Sequence, residues 1–182
     1  MRITVHGEPV LRGETDWVAR IALGPFGFEG EWEQVWLRRM EGDLAEVCCV
    51  PLRAYGVGLR DVVRLCADGS TVVEVVERSG RHVFRALLVD ERDEDVAEIA
   101  AEVDAICART GLLLEWTNGR LVAIDIPPDA DATDVLNYLS ECAQAGRLEW
   151  EWSDMVPFEA PPGERRRRSR SFVRWLGRFG RS

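Results

Sequence analysis

Apolar and polar residues alternate one by one at residues 2–5, 17–23, 34–37 and 44–50, the two-residue period of half-buried strands. Glycine-bearing breaks punctuate these runs. Residues 24–30 supply three glycines and a proline for a loop, and Glu41-Gly42-Asp43 makes a hairpin turn in which the glycine can take a positive φ. Leu59-Arg60-Asp61-Val62-Val63 enters a further strand, Asp68-Gly69 turns, and residues 71–77 are rich in β-branched side chains. Ser79-Gly80 turns again before residues 82–89. This rhythm predicts a β-barrel-like unit over residues 31–81, preceded by an N-terminal strand extension over 1–30. In the loop of that extension, Phe26 and Phe28 read as a plug for one end of the barrel rather than as a binding tip.

The period then lengthens. Val96, Ile99, Val103, Ile106 and Cys107 recur at helical spacing behind the acids of residues 90–95, which suit a helix start, and Gly111 ends the run. Asn118-Gly119 joins residues 112–116 to 121–126 as a hairpin, and Pro127-Pro128 stops it. Val135, Leu136, Leu139 and Cys142 predict a second helix, capped by Asp131 or Thr133, and residues 148–152 alternate as a last strand. With residues 82–89 the order is βαββαβ. The expected fold class is therefore α+β, with a small β-barrel-like N-terminal half followed by a ferredoxin-like βαββαβ half over residues 82–154. Two helices cover one face of such a sheet, and the preceding unit is positioned to cover the other. A Pro and Gly linker is expected over residues 155–164 and a basic tail over 165–182.

Charge divides the chain unevenly. All 23 basic residues are arginine, which reads first as genomic base composition. From Glu164 onward there are eight arginines and one acid, leaving 15 basic and 31 acidic residues before it. The body is thus about −16 and the tail about +7. So acidic a body repels a phosphate backbone, and only the tail is suited to nucleic acid or an anionic membrane. Five cysteines and two histidines show no CxxC or zinc spacing, so neither metal nor cofactor is expected. The cysteines read as reduced core thiols, with Cys48 and Cys49 on opposite faces of a strand, one in the core and one half-exposed. No leader-like apolar region opens the chain and no run approaches the ~18 apolar residues of a membrane span, so a cytoplasmic location is expected.

Trp32, Gln34 and Trp36, the run Cys49-Val50-Pro51 with Tyr55-Gly56, residues 59–63, residues 76–80 and Phe84-Arg85 together resemble the uncharacterised bacterial family known as domain of unknown function 4265. The resemblance spans residues 32–152 and brings no reaction with it.

No catalytic constellation is legible. His6 and His82 are the only histidine bases, and neither accompanies a GxSxG or Cys-His arrangement. A ligand site in a cleft between the halves would draw on Tyr55, Asp61, Ser79, His82 and Arg85. A partner surface would draw on Glu115, Glu149 and Glu151, read as an exposed acidic stripe beside Trp116, Trp150 and Trp152. In the tail, Arg165, Arg166, Arg167, Arg168, Arg170, Arg174, Trp175 and Arg178 are the candidates for polyanion binding, with Phe172, Trp175, Leu176 and Phe179 along one helical face. The plainer alternative is a tail that folds back on its own acidic body. The leading expectation is a non-catalytic module that binds a basic protein through an acidic surface, in the manner of an immunity protein or antitoxin.

Overall fold

The computed structural model describes residues 2–90 and 92–161, so the basic tail expected over 165–182 lies outside the described residues. The fold is mixed α+β, with two sheets and two helices.

The first sheet contains β1 (Arg2–Thr4), β2 (Trp17–Ala22), β3 (Glu31–Arg39), β4 (Leu44–Val47), β5 (Val62–Leu65) and β6 (Val72–Glu77). Its order is β1-β3-β4-β5-β6, with β2 also paired to β3. The long β3 is the hub. It pairs in parallel with β1 and antiparallel with β2 and β4, so its alternate residues Val35 and Leu37 are fixed inward among Ile21, Ala45, Val47 and Val63. Phe26 is buried in the same core. Register shifts between β5 and β6 add twist and bring β6 towards β2. Arg20 of β2 forms an isolated bridge with Thr71, just before β6, and donates its N–H to the Ser70 carbonyl, but no continuous ladder closes the sheet among the described residues. The first half is a curled open sheet rather than a closed barrel.

The second sheet contains β7 (His82–Leu88), β8 (Leu113–Thr117), β9 (Leu121–Ile126) and β10 (Leu148–Trp152), all antiparallel in the order β10-β7-β9-β8. Helices α1 (Asp93–Thr110) and α2 (Thr133–Gln144) cover one face. Acids fill the first turn of α1, and Gly111 closes it in the left-handed region at φ 72°. Asn118 and Gly119, at φ 53° and 64°, both adopt the positive φ that a tight hairpin between β8 and β9 requires. Ile99, Val103, Val135 and Leu139 pack on Ala86, Val122 and Ile124, each large side chain contributing about 1.5–3 kcal/mol.

The opposite face of the second sheet docks on the first half. Val83 and Ala123 meet Val50, Leu52 and Leu59 in a third, smaller cluster, with Val10, Leu11 and Leu113 at its margin. Two chain segments strap this seam. The N-terminal one runs from β1 through a bond from the Leu11 N–H to the Cys48 carbonyl. The C-terminal one leaves β10, accepts the Gly56 N–H at the Ser153 carbonyl (3.0 Å), and lays Val156 and Phe158 on the first core. Val156 and Phe158 thus pack within the stretch expected to be a linker. Gly56 sits at φ 63°, and a β-carbon there would lie 2.6 Å from the Pro157 carbonyl carbon, so this crossing demands glycine.

Cys48 and Cys49 are both fully buried, against the expectation of one half-exposed thiol. Strand β4 ends at Val47, so the pair lies past the ladder, where strict alternation of faces no longer applies. All five cysteines are free thiols. No described helix is long and apolar enough to cross a membrane.

Candidate functional site at the seam between the sheets

Three chain segments meet at His6. The residue follows β1, whose register places Thr4 beside Glu33, and from there the chain carries the ring into the seam. Glu33 shares the inward face of β3 with Val35 and Leu37, and Glu115, in the middle of β8, points away from the helices. His6 Nε2 donates to Glu33 Oε1 at 3.0 Å, and Nδ1 donates to Glu115 Oε2. All three side chains are essentially closed to solvent.

Both carboxylates also hold main chain. Glu33 accepts the N–H groups of Leu52 (2.6 Å), Arg53 (2.9 Å) and Ala54 (2.6 Å), and Glu115 accepts those of Val10 (3.1 Å) and Val50 (2.8 Å). Both ring nitrogens face carboxylate oxygens, an arrangement that a doubly protonated imidazolium satisfies with an N–H to each. Burial works against that charge, but the neighbouring Cys49 sulfur and the Glu115 and Glu33 carboxylates outweigh it and hold the pKa well above the ordinary histidine value. Burial likewise opposes the Glu33 charge, and His6, Arg85 and the Leu52 N–H reverse it, leaving the carboxyl below its usual range. Burial pushes the Cys49 thiol up.

A second network adjoins the first. Tyr55 donates its hydroxyl to both Glu151 oxygens (2.9 and 2.8 Å), and the Arg85 guanidinium lies 4.7 Å over the Tyr55 ring. Arg85 donates to Glu151 Oε1 (3.4 Å) and to the Ala54 carbonyl, whose own N–H is held by Glu33. Burial lowers the Arg85 pKa against the pull of Glu151 and Glu33. Further along the seam, Arg81 forks onto buried Asp125 (2.9 and 2.6 Å).

Of the five residues expected to form one ligand site, the structure joins Tyr55 to Arg85, and Asp61 to Ser79, in two separate networks. Asp61 accepts the N–H groups of Gly58 (2.9 Å) and Ser79 (2.7 Å), and the Ser79 hydroxyl donates to the Leu59 carbonyl (2.8 Å). His82 belongs to neither; it is exposed, pairs with Asp154 at 2.8 Å and sits edge-on to Trp152. An open depression of about 370 Å³, lined by Thr15, Asp16, Trp17, Val18 and Trp36, includes none of the five.

The expected acidic stripe is corrected as well. Glu149 is exposed, but Glu115 is 4 % exposed and Glu151 is held by Tyr55 and Arg85. The glutamates and tryptophans do occupy opposite faces of the sheet. Trp150 and Trp152 lie against Phe84 on the helix side, while Glu115 and Glu151 on the opposite face meet the first half and Glu149 alone stays exposed. The tail candidates Arg165, Arg166, Arg167, Arg168, Arg170, Arg174, Trp175 and Arg178 lie outside the described residues.

Sequence reasoning treated His6 only as a base without partners and passed over Glu33. No spacing rule links residues 27 and 109 positions apart. One signal was readable: Glu33 has the same parity as Val35 and Leu37, a carboxylate on the apolar face of a strand.

The family model for a domain of unknown function, DUF4265, matches residues 33–150. The chain belongs to this family. The DUF4265 match includes Glu33, Cys49, Arg85 and Glu115, whereas His6 and the C-terminal strap lie beyond its ends. No curated protein matches the chain. A crystal structure of a hypothetical protein from Neisseria gonorrhoeae is similar in fold, with a TM-score of 0.55 at 14% identity, covering 76% of this chain and 95% of that one.

Chemically, the seam holds chain together. Its carboxylates are filled by main-chain N–H groups and by the donors of His6, Tyr55, Arg81 and Arg85.

Proposed function

We propose that this DUF4265 protein is a non-catalytic protein-binding module, and that its partner-facing surface is the acidic outer side of α1. The supporting observation is that Glu94, Glu98 and Glu102 recur one turn apart, are exposed, and have no ion-pair partner among the described residues. Like charges at this spacing cost a helix a few tenths of a kcal/mol per pair, a cost that packing of the opposite side does not require. Glu115 and Glu151 are engaged in the seam, which leaves Glu149 alone of the expected stripe, so α1 takes over the role first expected of Glu115, Glu149 and Glu151. A rigid acidic face suits a basic protein, as in an immunity or antitoxin complex in the cytoplasm. The strand order β10-β7-β9-β8 under two helices supports reading residues 82–154 as ferredoxin-like, and the Arg20–Thr71 bridge supports a barrel-like first half.

The test is capture from native extract at physiological salt with the wild type and with Glu94→Arg/Glu98→Arg/Glu102→Arg. A basic protein retained by the first and lost by the second is the expected result. Identical retention by both, or nonspecific material alone, overturns the reading.

A second reading rests on the eight arginines after Glu164: the tail addresses nucleic acid or an anionic membrane and carries the body as cargo. Truncation after Gly163 then abolishes retention on heparin or anionic vesicles, and unchanged retention removes the idea. A small-ligand site built from Tyr55, Asp61, Ser79, His82 and Arg85 has less support, because they fall in separate networks and most of their polar atoms, Arg85 Nε excepted, are held by partners within the chain.

A further inference from the structure

We propose that His6 is a proton-operated clasp: as an imidazolium it pins the N-terminal segment into the seam between the two sheets, and on losing a proton it lets that segment go. The argument starts from the donor count. A neutral imidazole has one N–H, yet both ring nitrogens face carboxylate oxygens in a site closed to water. Deprotonation turns one of those bonds into a lone pair against a carboxylate, with no solvent to relieve it.

The ring and its partners belong to different segments, which is what makes the contact releasable. Outside this cluster the N-terminal segment is held by the three-residue pairing of β1, by the Leu11 N–H on the Cys48 carbonyl, by Val10 and Leu11 at the margin of the third cluster, and by solvent-facing contacts of Arg2 with Glu31, Thr4 with Arg53, Arg12 with the Trp36 ring and Glu14 with Arg38 and Arg60, which hold its two ends more than the stretch around His6. The carboxylates are anchored independently. Glu33 keeps three main-chain donors and Glu115 keeps Val50 after the proton leaves. The seam itself retains Val83, Ala123 and the Phe158 strap, so the segment opens while the two halves stay docked.

Four side chains set the response. Glu33 faces the ring from β3, Glu115 from β8 and the Cys49 thiol from the turn after β4, while Arg85 on β7 acts on Glu33. Since the folded-state pKa of His6 is raised, its contribution is complete below the ordinary histidine value and is lost as pH rises through the folded value. Release therefore lies on the alkaline side.

Two measurements on the full-length protein test this. Nitrogen-resolved NMR of the imidazoles should show both His6 nitrogens protonated at neutral pH. Amide exchange at Val10 and Leu11, normalised to the intrinsic base-catalysed rate, should lose protection by up to about tenfold per pH unit once His6 titrates, with the Ile124 amide unchanged. Glu115→Gln should shift that loss to lower pH, because a neutral amide supports the imidazolium less; the wild-type spectra decide the question if this variant does not fold. A singly protonated His6 ring at neutral pH with the segment still protected overturns the proposal. So does protection that stays flat from about pH 6 to about pH 10, or falls equally at Ile124, or a Glu115→Gln variant that folds and opens at the wild-type pH.

Discussion

Towards α1 and α2 the second sheet presents Phe84, Ala86, Leu88, Val122 and Ile124; towards the first half the same strands present Arg85, Glu115, Asp125 and Glu151 around Val83 and Ala123. The two faces exclude water about equally, yet by different means. The helix face gains from transfer of apolar surface and close packing, which tolerate small shifts in position. The seam face loses the hydration of several charged groups and regains it only because each finds partners at bonding distance. A face of the first kind is graded in its response to damage, whereas one of the second kind fails when a single partner is removed.

The largest expected effect comes from breaking the seam. Glu33→Ala strands His6 and three main-chain N–H groups in a dry site, and unfolding by denaturant should show a loss of about 3–5 kcal/mol. Ile124→Ala, on the other face of the second sheet, should cost about 3 kcal/mol through its cavity. The pair separates in acid. Because the Glu33 pKa is lowered in the fold, its contribution is present above the ordinary glutamate value of about 4.3 and is lost as pH falls through the folded value. The Glu33→Ala deficit should therefore shrink in acid while that of Ile124→Ala stays level. A Glu33→Ala deficit that ignores pH would mean the seam behaves like an ordinary core.

Gly56→Ala should cost about 2 kcal/mol, since the substitution strains a positive φ and pushes the C-terminal strap off the first core. Faster proteolysis near Phe158 would report the lifted strap. Tyr55→Phe removes the hydroxyl from Glu151 and should cost about 1 kcal/mol, with its aromatic contact to Phe26 intact. Glu94→Gln on the exposed side of α1 should stay within about 0.5 kcal/mol in the same assay.

Much of the architecture was legible before any coordinates. The spacing of Val96, Ile99 and Val103 marked α1, Asn118-Gly119 marked the hairpin of β8 and β9, and the run of element types along the chain pointed to an α+β fold. These are short-range signals, set by the backbone within a few residues. The site was far less legible. Tyr55 and Arg85 were named and do meet, but His6 joins Glu33 and Glu115 across long stretches of chain, and no local pattern records such a meeting. The expectation of an exposed acidic stripe failed at Glu115 and Glu151 because alternation announces that a strand has two faces without saying what covers each.

By itself the sequence determined the helices, most of the strands and which side chains share a face, because the periods of 2 and 3.6 residues follow from covalent geometry. Only the tertiary structure decided which polar face stays wet and which ionisable groups carry charge inside the protein. Hydration and Coulomb energy depend on what lies within a few ångströms through space, and for His6 those neighbours come from the far ends of other strands.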